Sequence, residues 1–478
     1  MGNSPHIVPI HILDDDSLLN IFLLYRPFFL GEGEDELERL YGGDEPWDRG
    51  RWWYRLAHLC QRWRNLILGS ASYLRLSLVC TNGTPVADML AHSPPLPLTV
   101  DYSGKFGITA EDEEGILLAL EKRNRVRHLR LFFPVRNLQK LVTTVDGQFP
   151  TLEYLIIEPR VADSTPFMFP ETLQAPNLRH LMLRGITCPI RSQLHPTAVG
   201  LVTLCLMISH PSSYFEPSVL LQWISFMPYL ESLAVAFTFS IPNSDVERQL
   251  THSAPIMTHI TLPNLRLFWF RGVITYLEAV IYRVTTPLLE RLQIQVLEEL
   301  TFSIPRLMQY INATKSLSRF DSAEIEFSSE RARLETYARE TNDYAFAIKV
   351  YSGRLDRQVS SVAQISNALS QVFSAVELLT LEHEVHSQSS EEHDDVDRIE
   401  WRNLLRSFSK VKTLRIEQGL VERVSRCLRL ENGEDPLELL PELQELTYFA
   451  SCDTDDTFTS FIDARQNSGH PVTLVSHN

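Results

Sequence analysis

The sequence has few cysteines for its length, with six among 478 residues. They are scattered and form no Cys-x-x-Cys pair, so their spacing fits neither a disulfide framework nor a zinc site. Reduced thiols of this kind are typical of cytosolic and nuclear proteins, which is where we expect this chain. The six positions are Cys60, Cys80, Cys188, Cys205, Cys427 and Cys452.

The sequence also lacks an uninterrupted apolar segment that could span a membrane. An early run, IFLLYRPFFL, is broken by Arg26 and Pro27, whereas a membrane-spanning helix needs about 20 consecutive apolar residues. No secretory signal is recognisable at the N-terminus. We therefore expect no membrane partner.

Basic residues are in the minority. The chain has 44 Lys and Arg against 60 Asp and Glu, a formal net charge of −16. A general nucleic-acid binder needs a basic surface to neutralise phosphates, so this balance argues against a nucleic-acid partner.

Sequence motifs that identify common enzymes are missing. The chain contains no GxSxG, no P-loop and no GxGxxG after a strand, so we predict no enzyme activity and no cofactor. A hydrolase site within the chain stays an alternative, and it would need a nucleophile and a base within hydrogen-bond reach.

Two acidic segments, 31–50 and 382–400, are possible metal sites. The first lacks the ordered ligand alternation of a calcium loop, and the second lacks the HExxH spacing of a zinc protease. Charge runs of this kind are usually solvated surface, so we predict no metal. The possible ligands in the second segment are His383, His386, His393 and Asp394.

The rest of the chain is dominated by a repeated pattern: an apolar residue, two variable residues, an apolar residue, one variable residue and an apolar residue. Ten copies occur, and the early ones start about 23 to 26 residues apart. The first residues of the copies are Val126, Leu152, Leu178, Leu201, Leu230, Leu265, Leu289, Val376, Val411 and Leu443.

Each copy reads as a short strand that follows a helix. A proline precedes many copies, as in FPTLEYL and LPNLRLF, and ends the preceding helix. Helical segments such as SVLLQWISF and EWRNLLRSF fill the gaps. Such a unit cannot bury its apolar face alone, so neighbouring units must stack.

This pattern resembles irregular leucine-rich repeats, whose period is roughly 20 to 29 residues. The resemblance implies an α/β solenoid over residues 70–478, a horseshoe with parallel strands on the concave side and helices on the convex side. The Asn of the regular repeat is missing, because Pro134, Arg160 and Ile186 occupy its place. The pattern weakens between 295 and 375, and residues 458–475 read as a terminal cap.

The first 69 residues differ from the repeats. LDDDSLLNIFLL predicts a helix from 13 to 24 with acidic residues at its start. A second helix is predicted over 56–68, because Leu56, Leu59, Cys60, Trp63 and Ile67 fall on one helical stripe. The Gly-rich acidic segment 31–50 separates the two as an insertion.

These two helices resemble an F-box, in the pattern Leu-Asp-Asp-x-Leu-Leu-x-Ile-Phe followed by Leu-Cys-x-x-Trp-Arg. Two departures are present: Asp14 replaces the usual Pro, and the segment 25–52 is longer than in the common F-box. The family binds the Skp adaptor of a cullin–RING ubiquitin ligase. The resemblance implies that adaptor-binding and core positions are shared among Leu13, Leu18, Ile21, Phe22, Leu56, Leu59, Cys60 and Trp63.

Substrate contacts are predicted on the concave face. The variable residues of each strand point there because side chains alternate along a strand. An exposed Trp269 beside Arg271 is the pair most typical of an interface hot spot; an ordinary solvated or covered sheet surface is the alternative. The candidate residues are Arg130, Arg184, Trp269, Arg271, Gln293, Arg415 and Glu417.

Two functions follow from these patterns. The first is a substrate receptor of a cullin–RING ligase, which binds an unknown substrate protein. The second is a stand-alone repeat scaffold whose first helices cap the array. A cap would bury the Trp63 stripe against residues 70–100, whereas an adaptor-binding box would leave the stripe partly exposed.

Overall fold

The computed structural model shows two compact units, Met1–Ala198 and Val199–Asn478. The predicted acidic insertion and the possible ligands His386, His393 and Asp394 lie outside the described residues. The structure describes residues 10–25, 51–103, 108–160, 167–187, 189, 192–239, 259–297, 304–314, 317, 320–337, 344–383, 398–430, 434–449 and 457–477.

In its described residues, the first unit has helices at 15–25, 52–57 and 61–69 and then strands and helices in alternation. Strands β1, β2, β3, β4 and β6 form a parallel sheet in that order, and β5 and β7 form a separate short pair. The elements are α1 (Asp15–Tyr25), α2 (Trp52–Ala57), α3 (Gln61–Gly69), β1 (Leu78–Cys80), α4 (Val86–His92), β2 (Leu98–Ser103), α5 (Ala110–Glu121), β3 (Val126–Pro134), α6 (Val135–Val145), β4 (Tyr154–Arg160), β5 (Phe167–Met168), β6 (His180–Arg184), β7 (Ile186–Thr187) and α7 (Leu194–Thr197).

The second unit repeats the alternation. Its elements are β8 (Thr203–Ile208), α8 (Pro217–Ile224), β9 (Ser232–Phe237), β10 (Ile260–Thr261), β11 (Leu267–Gly272), α9 (Ile274–Ile281), β12 (Val284–Thr285), β13 (Arg291–Val296), α10 (Pro305–Ala313), β14 (Ser322–Phe327), β15 (Arg331–Tyr337), β16 (Tyr344–Tyr351), α11 (Leu355–Ala368), α12 (Ser370–Phe373), β17 (Leu378–His383), α13 (Arg398–Arg406), β18 (Thr413–Ile416), α14 (Val421–Leu428), β19 (Glu445–Phe449), α15 (Thr459–Asn467) and β20 (Thr473–His477).

The sheet of the second unit is parallel except at one strand. Its order is β8-β9-β11-β13-β16-β15-β14-β17-β18-β19-β20, and β15 pairs antiparallel with both of its neighbours. The long runs of parallel strands in the two units confirm the predicted mixed α/β class. The hairpin of β14 and β15 lies in the stretch where the repeat pattern weakens. Strand β15 escaped prediction because it lacks the repeated motif, although its buried Ala332, Leu334 and Thr336 alternate with charged residues.

The repeated apolar positions form the core of each unit. Leu129, Leu155 and Leu181 lie opposite one another on adjacent strands and are at most 1% exposed. Leu233 and Phe268 continue the same arrangement in the second unit. Stacking of equivalent positions therefore buries what one repeat alone would expose.

Polar side chains in the proline turns before the strands donate hydrogen bonds to carbonyls of the preceding repeat. The amide of Asn177 donates to the carbonyl of Pro150 at 2.6 Å, and the amide of Asn264 donates to the carbonyl of Pro228 at 3.0 Å. The hydroxyl of Thr151 donates to the carbonyl of Val126 at 3.0 Å. These bonds satisfy turn carbonyls that would otherwise lack a partner.

The prediction of a single helix over 56–68 is wrong, because helix α2 ends at Ala57 and helix α3 begins at Gln61. Cys60 is extended, with φ −158° and ψ 165°, and caps α3. Its Sγ accepts the backbone N–H of Trp63 at 3.5 Å. Helical periodicity missed the break because apolar residues keep their helical spacing on both sides of it.

Helix α10 is capped by a residue from the preceding repeat. Glu278 is 8% exposed, and its carboxylate accepts the backbone N–H groups of Arg306 at 3.1 Å and Leu307 at 2.7 Å. Burial raises the pKa of this carboxyl, although both N–H groups act in the opposite direction. The bonds satisfy donors that a helix leaves unpaired at its start.

Replacing Glu278 with alanine is expected to destabilise the protein by about 1–3 kcal/mol, because two buried N–H groups lose their acceptor. Glu278→Gln keeps one acceptor oxygen and should cost less. Chemical unfolding followed by circular dichroism would measure both changes. Glu290→Ala, at an exposed position, is the control, and an equal effect of the two alanine variants would contradict the capping role.

No helix in the described parts of the chain is long and apolar enough to cross a membrane.

Candidate interaction surfaces

Helices α1 and α3 pack against each other around a small core. Phe22 of α1 and Trp63 of α3 meet edge to face, with ring centroids 4.9 Å apart. Leu18 and Ile67 are fully buried, and Phe22 is 1% exposed. The indole of Trp63 itself is only half-buried, so part of the ring stays accessible.

An arginine holds α1 against α3. The guanidinium of Arg62 donates to the carboxylate of Asp15 at 2.7 Å and to the carbonyl of Leu13 at 2.7 Å. Both groups are solvent-exposed, so the ion pair itself stabilises little. The two bonds do fix the start of α1 beside α3.

Asp14, the departure from the F-box pattern, caps α1. Its carboxylate accepts the backbone N–H of Ser17 at 2.7 Å and the hydroxyl of Ser17 at 3.1 Å. The N–H bond and then the hydroxyl bond lower the pKa of Asp14. A capping aspartate starts the helix as an N-terminal proline would, because both suit the unpaired first turn.

Helix α2 attaches this helical group to the first strand region. Trp53 is 4% exposed, and its Nε1–H donates to the carbonyl of Ser77 at 3.2 Å. Just before the helix, the guanidinium of Arg51 donates to the hydroxyl of Thr84 at 2.9 Å. Sequence reasoning missed Trp53, which lies one turn before the stripe that contains Trp63.

The eight predicted F-box positions separate into core and surface. Leu18, Phe22 and Leu56 are buried, and Leu13 and Trp63 are half-buried. The remaining three point outward, with Cys60 exposed, Leu59 66% exposed and Ile21 38% exposed. The structure thus shows which of these positions are buried and which are exposed, which the pattern alone leaves open.

Further exposed apolar residues lie in the same group of helices. Leu24 is 72% exposed and Tyr25 is 57% exposed, and both follow Ile21 at helical spacing on α1. That spacing was a usable signal that the sequence reasoning missed. Ile10, Ile12 and Tyr73 are also exposed. Large apolar side chains gathered on one small element are typical of a protein interface.

In the first unit, the sheet face away from the helices contains ion pairs. Arg130 lies 4.0 Å from Asp101, and Arg184 lies 2.5 Å from Glu158. Burial raises the pKa of Asp101 to about 6, while Arg130 opposes the shift. A partner that bound these two predicted arginines would have to compete with the carboxylates of Asp101 and Glu158.

A ladder of rings crosses the same face. Tyr154 contacts His128 edge to face at 4.4 Å and stacks on His180 at 4.2 Å between centroids. Burial, then the neighbouring Arg127, lowers the pKa of His128 to about 3. Burial, then Arg179, lowers the pKa of His180 to about 4. Both imidazoles are neutral at physiological pH and act as apolar packing.

In the second unit, the expectation of an exposed Trp269 is wrong. Trp269 is 4% exposed and Gln293 is 8% exposed. Tyr344 of β16 contributes to the burial of Gln293, because its hydroxyl donates to Oε1 of Gln293 at 3.1 Å. The repeat pattern gives the direction of a side chain but not which distant residues cover it.

The remaining predicted residues differ in accessibility. Arg271 is half-buried, with its guanidinium 5.4 Å from the ring centroid of Tyr351. Arg415 is exposed and Glu417 is half-buried, so these two stay accessible on the face. In the parts of the chain that the structure describes, no three His, Cys, Asp or Glu side chains are grouped as metal ligands.

No family model matches this chain, and no curated protein matches it. Among solved structures, it is similar to the leucine-rich repeat-containing protein LegL7 from Legionella pneumophila, with a TM-score of 0.24 and 11% sequence identity, over 82% of this chain and 98% of that chain. A TM-score of this size does not establish a shared fold. The repeat architecture therefore rests on the strands and helices of the chain itself.

Proposed function

We propose that this chain is the substrate-recognition subunit of an SCF-type ubiquitin ligase, a cullin–RING enzyme, in the cytoplasm or nucleus. Helices α1 to α3 would bind the Skp adaptor, and the strand face away from the helices would bind a substrate protein. The chain itself would perform no chemistry. It would raise the local concentration of the substrate beside the charged ubiquitin carrier, a contribution of proximity.

The accessible apolar surface of the first helices carries this proposal. Leu18, Phe22 and Ile67 already give the helices a closed core, yet Leu59, Leu24 and Ile21 stay outside it. Burying a leucine-sized side chain is worth about 1.5–3 kcal/mol, so solvent exposure of three such residues favours a protein partner.

Binding of the Skp adaptor is expected for the purified full chain and should be lost in Leu59→Asp. Leu59 is 66% exposed, so this change places a charge in the interface without entering the core. We expect at least a tenfold weaker affinity by calorimetry, since a buried unpaired charge costs well over 1.4 kcal/mol. The double variant Leu59→Ala with Trp63→Ala should also lose binding.

The matched control is Leu288→Asp, at another exposed leucine, 51% exposed, in the second unit. Thermal unfolding of all variants identifies any change caused by misfolding. A wild-type chain that fails to bind the adaptor would reject the receptor function.

The alternative is a stand-alone interaction scaffold with no ligase role. The hydrogen bonds from Trp53 to Ser77 and from Arg51 to Thr84 favour it, because they attach the first helices to the strand region as a solenoid cap would be attached. If the chain is such a scaffold, Leu59→Asp should leave its binding to partner proteins unchanged.

A further inference from the structure

The antiparallel hairpin of β14 and β15 brings like charges into register on the sheet face away from the helices. Glu324 lies directly opposite Glu335 of β15, and Glu326 lies directly opposite Glu382 of β17. Like charges in directly opposed positions destabilise a strand pair. The first pair arises because β15 reverses direction within the sheet, whereas the second pair joins the parallel strands β14 and β17.

Two arginines form ion pairs with carboxylates of this group. Arg333 lies 3.8 Å from Glu326 and forms an ion pair with Glu335, and Arg331 lies 3.9 Å from Glu326. Both arginines therefore lie beside Glu326, and Arg333 also pairs with Glu335. Repulsion by carboxylates consequently dominates around Glu324 and Glu382.

Other titratable groups complete the surroundings. The hydroxyl of Tyr337 donates to Glu335 at 2.6 Å, Lys349 of β16 lies opposite Arg333, and Glu417 follows β18 beside Glu382. Arg415 lies opposite Thr380, the register partner of Glu324 on β17. His383 pairs in register with the buried Phe327, on the other face of the sheet.

We propose that Glu324, Glu326, Glu335 and Glu382 form a proton-linked switch that holds the β14–β15 hairpin firmly in the sheet when a proton is bound and loosens it when all four carboxylates are charged. The proposal is independent of adaptor binding. It concerns the face on which a partner protein would dock, whose charge and order would change near neutral pH.

Glu324 has a pKa in the pH range in which the switch would act. Burial, then repulsion from Glu382 and Glu335, raises its pKa to about 7, and Arg333 only partly opposes the shift. Burial, then Glu417 and Glu326, raises the pKa of Glu382 in the same direction. A carboxyl whose pKa is raised by folding contributes stability that is complete below its unfolded pKa, about 4.5, and is lost as the pH rises through 7.

Hydrogen exchange of the full chain, followed by mass spectrometry, tests the switch. After correction for intrinsic exchange rates, the protection of peptides covering 320–337 should fall roughly three- to tenfold between pH 6 and pH 8. Peptides covering 203–237 contain strands that lie several positions away from the hairpin in the strand order of the sheet, so their protection should change less. Equal protection of the hairpin at the two pH values would overturn the proposal.

Two variants assign the effect to named residues. Glu324→Gln imitates the protonated state, so its hairpin should keep the pH 6 protection at pH 8. Glu382→Gln removes the strongest repulsive neighbour of Glu324 and should move the midpoint of the transition to lower pH. This second variant keeps the test decisive if the first fails to fold, since an unchanged midpoint contradicts the cluster.

Glu231→Gln serves as the control, because Glu231 is exposed and precedes β9. It should show the wild-type ratio of protection between pH 6 and pH 8. A wild-type ratio in Glu324→Gln as well would assign the pH dependence to other residues and reject the switch.

Discussion

Replacing Arg465 with methionine is expected to release the C-terminal helix α15 and strand β20. Arg465 is 0% exposed, and its guanidinium donates to the carbonyls of Pro441 at 3.2 Å, Leu443 at 3.1 Å and Pro436 at 3.3 Å. A buried arginine with carbonyl partners satisfies several acceptors at once because its donors form a rigid fork. The side chain thus connects α15 to the turn that precedes β19.

The expected loss in the free energy of unfolding is about 2–4 kcal/mol. Methionine fills a similar volume but leaves the three carbonyls without a donor, and each buried unsatisfied group costs about 1–3 kcal/mol. Relief of the desolvation of the guanidinium offsets part of this cost. The loss in free energy of unfolding for Arg465→Lys should be smaller than for Arg465→Met but not zero, because an ammonium group cannot reproduce the guanidinium's fork of donors.

Chemical unfolding gives the size of the effect, and hydrogen exchange of residues 457–477 gives its location. The control is Arg426→Met on α14, whose side chain is 58% exposed and pairs with Glu422 at the surface. This control should cost no more than about 0.5 kcal/mol. If Arg465→Met behaved like the control, the three carbonyls must find other partners.

Local patterns were sufficient to predict most strands of the repeats. Leu129 and Leu131 lie in β3, and Leu204 and Leu206 lie in β8, each where the repeated motif places a strand. These positions are encoded within six residues, because each strand needs only its own alternation to be recognised. The same local periodicity predicted which apolar residues lie in strands and which lie in helices.

The features that the sequence did not predict depend on residues far apart in the chain. Burial of Gln293 involves Tyr344 of β16, a strand about 50 residues later in the chain that lies next to β13. Capping of α10 involves Glu278 from the previous repeat. Cys60 breaks a stripe of correct helical spacing, and only its extended backbone shows the break. Periodicity reports the direction of a side chain, whereas these features depend on tertiary neighbours.

Replacing Trp53 with alanine is expected to have the other large effect, a loss of about 3–5 kcal/mol in the free energy of unfolding. The indole is 4% exposed and stacks on Tyr54, with ring centroids 4.2 Å apart. Its truncation would leave a cavity between α2 and the first strand region and would remove the bond to the carbonyl of Ser77. Trp53→Phe keeps an aromatic ring and should lose roughly 1 kcal/mol, the value of the hydrogen bond.

The comparison of Trp53 with Trp63 separates stability from binding. Trp63 is half-buried, so Trp63→Ala should cost less stability than Trp53→Ala and should weaken adaptor binding directly. Trp53→Ala should weaken adaptor binding indirectly, because α2 leads into the Leu59 and Cys60 surface. Circular dichroism during chemical unfolding and calorimetry with the adaptor measure the two effects side by side. Full adaptor binding by a destabilised Trp53→Ala chain would contradict this coupling and would instead mean that residues 1–69 fold as an independent domain.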